Sequence, residues 1–501
     1  MRGFAATRAA SVVEFAGVAS LLGLGGCAVG PNFKAPPPPS VKGYTVGPLA
    51  ATSSTTTVAG GQSQRFVEGM KLPAEWWTLF HCEALSGLVE RSLTNNPDVQ
   101  AAQAALAVAR ENYLAQRGAF WPSADASFSA SRNKGSTRLS PVPNANQFYY
   151  SLFTPQVTVS YVPDVFGLNR RTMESLKAQE QASRFAWAAS YITLSANVVG
   201  AAIQEASLRA QIDATRQIIG INSNMVQILQ YQYSKGYASE LDLAAQQSQL
   251  AQVAATLPPL LKQLAQQRDL LADLAGRFPT QAPAERFELS GLRLPERLPV
   301  SLPSRLVEQR PDVRQAEENL HAASAQIGIA IANRLPNITL TANAGSAALE
   351  AGQMFASGSG FWTLAGSVTE PIFRGGALLH QERAAKAAYR QAAEQYRSAV
   401  LAAFQNVADT LNALEQDADA LKAAAAAKAA AQKTLNLTRW QIKGGIASTL
   451  ELLNAEQTYQ QAILNLVQAQ ANRYTDTAAL FQALGGGWWH HADFARNENE
   501  K

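Results

Sequence analysis

Few side chains in this chain are spaced to do chemistry, and the most suggestive are two carboxylates. Asp242 and Glu451 each lie six residues past a glycine, in segments that read alike. These are Gly236-Tyr237-Ala238-Ser239-Glu240-Leu241-Asp242-Leu243 and Gly445-Ile446-Ala447-Ser448-Thr449-Leu450-Glu451-Leu452. Neither belongs to a recognisable catalytic constellation. Their available role is electrostatic: carboxylates ringed around a narrow axis attract cations and repel anions. The plainer role is that of an acid in the first turn of a helix, favoured there by the helix dipole. His490-His491, after Trp488-Trp489, read as part of a polar tail, and Cys82 beside His81 as a partly buried thiol. No nucleophile elbow, P-loop, dinucleotide fingerprint or metal-ligand spacing occurs, which leaves an enzyme without a catalytic constellation.

The other reactive candidate is Cys27. It follows Arg2 and Arg8, the apolar stretch Val12 to Leu24, and the small residues Gly25-Gly26. A positive start, an apolar middle and small residues before a cut describe a secretory leader over 1–26. The cysteine directly after it resembles a lipobox, whose thiol is acylated and becomes the mature N-terminus. Buried acyl methylenes contribute ~0.8 kcal/mol each to holding a protein on a membrane. With two cysteines in 501 residues a disulfide scaffold is excluded. A net charge of +4 calls for no nucleic-acid partner. No apolar run of ~20 residues follows the leader, so no ordinary membrane-spanning helix is expected.

The elements that must position these residues form a duplicated pattern. Residues 27–71, with Pro36 to Pro39 and a Ser/Thr/Gly stretch, read as an extended tether without a core. Pro97-Asp98-Val99 is matched by Pro311-Asp312-Val313, and Trp121-Pro122 by Leu335-Pro336 at the same offset. Pro163-Asp164-Val165-Phe166-Gly167 answers Glu370-Pro371-Ile372-Phe373-Arg374-Gly375, and the two glycine-led segments complete the series. The first repeat, 72–290, is expected to hold strands 123–132 and 154–162 and a helical hairpin over 169–276. The second, 291–487, is expected to hold strands 337–345 and 361–369 and a hairpin over 376–484. Residues 488–501 read as the polar tail.

In the strands, Ala124, Ala126, Phe128 and Ala130 alternate with Asp125, Ser127, Ser129 and Ser131, and the other three follow the same period of two. A length of about ten residues suits a tilted strand crossing a bilayer. From Ala377 to Lys443 there is neither Gly nor Pro; these roughly 67 residues would reach about 100 Å as a helix. After the glycine turns, helical patterns resume over Glu240 to Leu257 and Leu450 to Leu484. A membrane sheet must close on itself, and four strands cannot. Two chains would give eight strands and a plugged lumen; three would give twelve and an aqueous pore, which the Ser, Thr and Asn face fits.

Several short motifs carry a resemblance. They are Ala28-Val29-Gly30-Pro31-Asn32-Phe33 after the lipobox, Trp76-Trp77, Asn96-Pro97-Asp98, Asp164-Val165-Phe166-Gly167, Leu257-Pro258-Pro259-Leu260 and Pro371-Ile372-Phe373. Together they resemble the outer membrane efflux protein family (TolC/OprM-like), in its lipoprotein or NodT branch, from Cys27 to about Gly486. The resemblance implies an α+β membrane protein with an internal two-fold repeat. It implies a homotrimer with a twelve-stranded barrel, four strands per chain, continued by a long α-helical barrel across the periplasm. It also implies a passive duct that docks on a periplasmic adaptor protein and an inner-membrane pump of the resistance-nodulation-division type. Apart from the covalent lipid on Cys27 it implies no cofactor. In the family the hairpin turns form the gate and the adaptor-binding tip, which places Gly236, Asp242, Gly445, Glu451 and Asn454 there. The family tends to carry a basic residue just before the Glu451 position and a second carboxylate one turn on. Here Ala447 and Asn454 stand in those places, a departure from the usual salt-bridged lock. The competing reading is a periplasmic structural lipoprotein whose coiled coil spans the envelope without a pore.

Overall fold

The computed structural model describes residues 28–41, 43–45, 47, 51–55, 58–135, 149–491 and 494. Cys27 and the expected leader lie outside the described residues, as do 492–493 and 495–501 of the expected tail. The chain divides into two compact units.

The first unit comprises 107–182 and 317–395 with the described residues 28–35. Its centre is a four-stranded antiparallel sheet: β2 (Ser123–Lys134), β3 (Tyr149–Tyr161), β5 (Asn337–Ser346) and β6 (Gly360–Thr369), in the order β2-β3-β5-β6. The register aligns Ala126 with Val157, Val157 with Ala344, and Ala344 with Trp362. One step along, it aligns Asp125, Thr158, Asn343 and Thr363. Because side chains alternate, this central register gathers the aligned apolar positions on one face and the aligned hydroxyls and amides on the other. The apolar face is bare: Trp362 is 79% and Leu364 74% exposed, and Phe128, Val157 and Val368 are exposed as well. Among the described residues β2 and β6 are the edges, each paired on one side only.

The segment after Cys27 is not a loose tether. Val29 donates its backbone N–H to the Phe166 carbonyl at 3.1 Å. Arg171, almost fully buried, donates to the carbonyls of Val29 at 2.9 Å and Gly30 at 3.2 Å, and to Asn32 Oδ1 at 2.8 Å. Phe33 stacks on His321, ring centroids 4.3 Å apart. Composition carries no information about partners this far along the chain.

The second unit comprises 36–106, 183–316 and 396–501. Trp76, Trp77, Phe80, Tyr474 and Phe481 form its aromatic core, all with almost no exposed surface. The remainder of the expected tether joins this unit. β1 (Arg65–Glu68) pairs in parallel with β4 (Arg297–Val300), and the buried Gln64 donates to the Pro295 carbonyl. Two short helices, α1 (Glu83–Asn95) and α2 (Pro97–Arg117), follow the core aromatics. Asn96 caps α2 by accepting from the amides of Asp98 and Val99.

The long helices are α3 (Leu168–Ser234) and α7 (Ala377–Lys443), 67 residues each. The helices after them are α4 (Glu240–Leu274) and α8 (Thr449–Ala483), 35 residues each. Between the pairs lie α5 (Pro303–Gln309) and α6 (Pro311–Ala332). The helical pattern read over Glu240 to Leu257 continues as α4 through Pro258 and Pro259. Interior prolines cost roughly 3 kcal/mol each. Packing further along offsets this: Gln267 donates to the Ala201 carbonyl at 3.0 Å, and Leu271 and Ala272 are buried. In α3 an 18-residue window reaches a mean hydropathy of 1.3, which by length and composition would suffice to cross a membrane. More than half of that window, 56%, is buried inside the protein, as in a helix of a packed core.

The expected polar tail needs correction too. Trp488 is buried and donates its indole N–H to the Gln309 carbonyl at 2.7 Å. Phe494 is buried against Trp187, and His491 packs on Tyr191 at 5.1 Å. Trp488 and Phe494 supply apolar area that the neighbouring His, Asp and Asn residues conceal in any average of polarity.

Candidate functional site

The two glycine turns are built alike, and the sequence explains why. After α3, Gly236 adopts φ +76°, and Tyr237 donates to the Gln232 carbonyl at 2.8 Å. After α7, Gly445 adopts φ +71°, and Ile446 donates to the Gln441 carbonyl at 2.9 Å. This is a Schellman ending, which satisfies the last helix carbonyls and needs a residue that tolerates positive φ. Three residues on, Ser239 and Ser448 cap α4 and α8.

Both carboxylates serve those caps. Asp242 accepts from the Ser239 hydroxyl at 2.6 Å and donates its own amide to the Ser239 oxygen at 3.1 Å. The Ser239 hydroxyl, with that of Thr449 from the other turn, holds Asp242 below the usual aspartate range. Glu451 completes a full capping box: Oε2 accepts from the Ser448 amide at 2.6 Å, and the Glu451 amide donates to the Ser448 oxygen at 3.3 Å. That backbone bond, then the Ser448 hydroxyl, lowers the Glu451 pKa. Glu451 is exposed, and so is Asn454 one turn on. Both line a shallow groove of about 530 Å³ with Ala427, Ala431, Thr438 and Thr458.

Several features of this region escape sequence reading. Gln246 donates to Asn222 Oδ1 at 2.7 Å, both fully buried, and ties α3 to α4. Arg439 reaches the buried Glu456 at 3.3 Å and ties α7 to α8. An ion pair thus exists within the second hairpin, although not at positions 447 and 454. Around the turns, Tyr237 is 83% and Leu241 79% exposed, and Tyr231, Ile446 and Leu450 are also bare. Exposed apolar groups clustered at a helix end mark a surface for another protein. Only the helical period could have signalled them, since these apolar residues fall off the packed stripe. Among the described residues no group of three or more His, Cys, Asp or Glu could hold a metal ion. Cys82 is a half-buried free thiol.

A strand quartet with split faces, long paired helices and matching capped turns makes a distinctive combination. The model of the outer membrane efflux protein family matches residues 88–277 and 302–486, most of the chain. This chain belongs to that family. It is similar to the antibiotic efflux pump outer membrane protein ArpC of Pseudomonas putida, with 28% identity over 480 residues, 95% of this chain and 96% of the relative. The toluene efflux pump outer membrane protein TtgC, also of Pseudomonas putida, matches over the same shares at the same 28% identity. Among solved structures, the open-state MtrE outer membrane channel of Neisseria gonorrhoeae superposes with a TM-score of 0.77 at 27% identity. That match covers 93% of this chain and 99% of MtrE. The protein is therefore an outer-membrane efflux protein, a transport component.

Proposed function

We propose that three copies of this chain close their sheets into a twelve-stranded barrel, continued by an α-helical barrel. The resulting duct conducts small molecules outward without doing chemistry on them. The observation that carries this reading is the sheet with two open edges and opposed faces. An unpaired strand edge in lipid costs several kcal/mol per backbone group, so β2 must meet β6 of another copy. The bare apolar face suits acyl chains, and the face of hydroxyls and amides suits a water-filled lumen. A non-porous coiled-coil lipoprotein would have no use for such a face.

The two helical hairpins, of equal helix lengths and with turns of one design, support an internal duplication. The exposed apolar turns support docking of a periplasmic adaptor, itself joined to an inner-membrane pump of the resistance-nodulation-division type. The names of ArpC and TtgC suggest antibiotics and aromatic solvents as cargo classes. Cys27 is the expected site of the lipid, and the turns around Asp242 and Glu451 are the expected gate.

The test is to purify the protein from outer membranes, run it unheated and boiled on gels, and record planar-bilayer conductance. A heat-sensitive trimer with discrete conductance steps is expected. A monomer, or a trimer that conducts nothing under any voltage, would overturn the duct.

A further inference from the structure

Residues 28–33 occupy a built receptor rather than a convenient surface. Arg171 spends three of its donors on Val29, Gly30 and Asn32, and a fourth on Glu174 at 2.7 Å. Two glycines make room for the segment. A Cβ on Gly328 would stand 2.9 Å from the Val29 oxygen and 2.8 Å from Arg171 Cγ. A Cβ on Gly167 would stand 2.5 Å from Ala28 Cα. Gly30 itself has φ +91° and presses on the Gly328 backbone. At the far end His321, held by Glu174 at 3.1 Å and Glu318 at 3.4 Å, stacks on Phe33. All of these residues belong to the first unit.

The receptor lies where the sheet hands over to a long helix. Ala28 abuts Gly167, and Val29 is bonded to Phe166, in the short junction between β3 and α3. One trans peptide spans ~3.8 Å between Cα atoms. A lipid carried by the residue before Ala28 would therefore start within one residue of the junction between β3 and α3. A free tether would let the lipid wander over tens of ångströms.

We infer that the Ala28–Phe33 clamp is a positioning device for the lipid anchor, delivering the acyl chains of Cys27 beside the end of β3. Lipid and sheet then enter the membrane as a single footing. The inference rests on acylation of Cys27, which mass spectrometry of the N-terminal peptide checks independently. Protection of the clamped segment does not depend on acylation.

Two measurements test it on the full-length protein in lipid vesicles. The first is the rate of trypsin cleavage after Lys34, which requires the segment to leave its receptor. Arg171→Ala and, as a variant that keeps the arginine, Gly328→Ala should each raise that rate roughly tenfold or more. Equal rates in wild type and both variants would overturn the clamp. The second is a double-mutant cycle on thermal unfolding with Cys27→Ala and Gly328→Ala. If the clamp acts by placing the lipid, each change lowers the midpoint, and the pair lowers it by less than the sum. Additive losses, or no loss from Cys27→Ala, would mean that clamp and lipid act separately and would overturn the positioning role. If mass spectrometry finds Cys27 unmodified, the lipid reading fails while the trypsin result still judges the clamp.

Discussion

Glu451 Oε2 lies 2.6 Å from the Ser448 amide nitrogen, so the carboxylate proposed to guard the duct also caps the helix that carries it. The two roles are compatible because the side chain remains exposed at the turn. They separate under mutation. Glu451→Gln keeps the shape and much of the cap but removes the charge. Single-channel recordings should show reduced cation preference and weaker block by multivalent cations, with helix content unchanged. Unchanged conductance and block would leave Glu451 as a cap alone. Its lowered pKa means the charge, and the cap it strengthens, persist above the ordinary glutamate range and fade only as pH falls through the depressed value.

A second prediction concerns Asp417, whose carboxyl is pushed up to about 7 by burial, by a hydrogen bond with Asp476 and by that residue's charge. Arg473 opposes the shift only weakly, because it donates to the Leu414 carbonyl, Thr52 and the Gln62 carbonyl instead. A raised carboxyl pKa destabilises the fold progressively as pH climbs from the unfolded value near ~3.9 to about 7, then levels off. Asp417→Asn should raise the melting temperature at pH 8 and flatten its dependence between pH 5 and 8 (roughly the span of that titration). A lower melting temperature at pH 8 would contradict this.

His321 slopes the same way, in a higher pH window. Its pKa is raised, first by the hydrogen bond to Glu318, against burial, with Glu174 adding to it. Arg171 also bonds Glu174 and is the nearby positive charge. A raised histidine pKa contributes stability in full below its unfolded value and loses it as pH rises through the folded value. Cleavage after Lys34 should therefore accelerate on passing from mildly acidic to alkaline buffer. In His321→Gln that acceleration should vanish. A pH-independent wild-type rate, after correction for the protease's own profile, would refute the coupling.

The buried Asn222–Gln246 amide pair predicts a stability pattern. Asn222→Leu strands the Gln246 amide in the interior and should cost about 1–3 kcal/mol. Adding Gln246→Leu should recover part of that loss, because an apolar pair of similar volume leaves no orphaned donor. Denaturant melts of the two single variants and the double variant check it; a double variant worse than the sum would mean the pair is not isolated.

Much of this architecture is local and so was readable in residue order. The alternation at Ala124 to Ser131, the glycine-free run from Ala377 to Lys443, and Gly-x-x-Ser at each turn all follow from backbone geometry within a few residues. The strand expected over 154–162 begins earlier, at Tyr149, because its partner β2 extends to Lys134 and supplies the ladder. Composition failed where apolar or polar groups found distant partners. Arg171 and Val29 are 142 residues apart in sequence, and a Pro-rich segment does not announce which arginine will hold it. Phe494 and Trp488 lay among histidines and read as tail until α3 and Gln309 supplied their surroundings.

The sequence by itself thus determined the elements, the turn chemistry and the family, because periods, caps and short motifs depend on near neighbours. The tertiary structure alone decided which carboxyl is buried beside another acid, which amides meet across helices, and that the residues after Cys27 are clamped. Those depend on the path of the whole chain, where burial converts a distant approach into a hydrogen bond that water cannot replace.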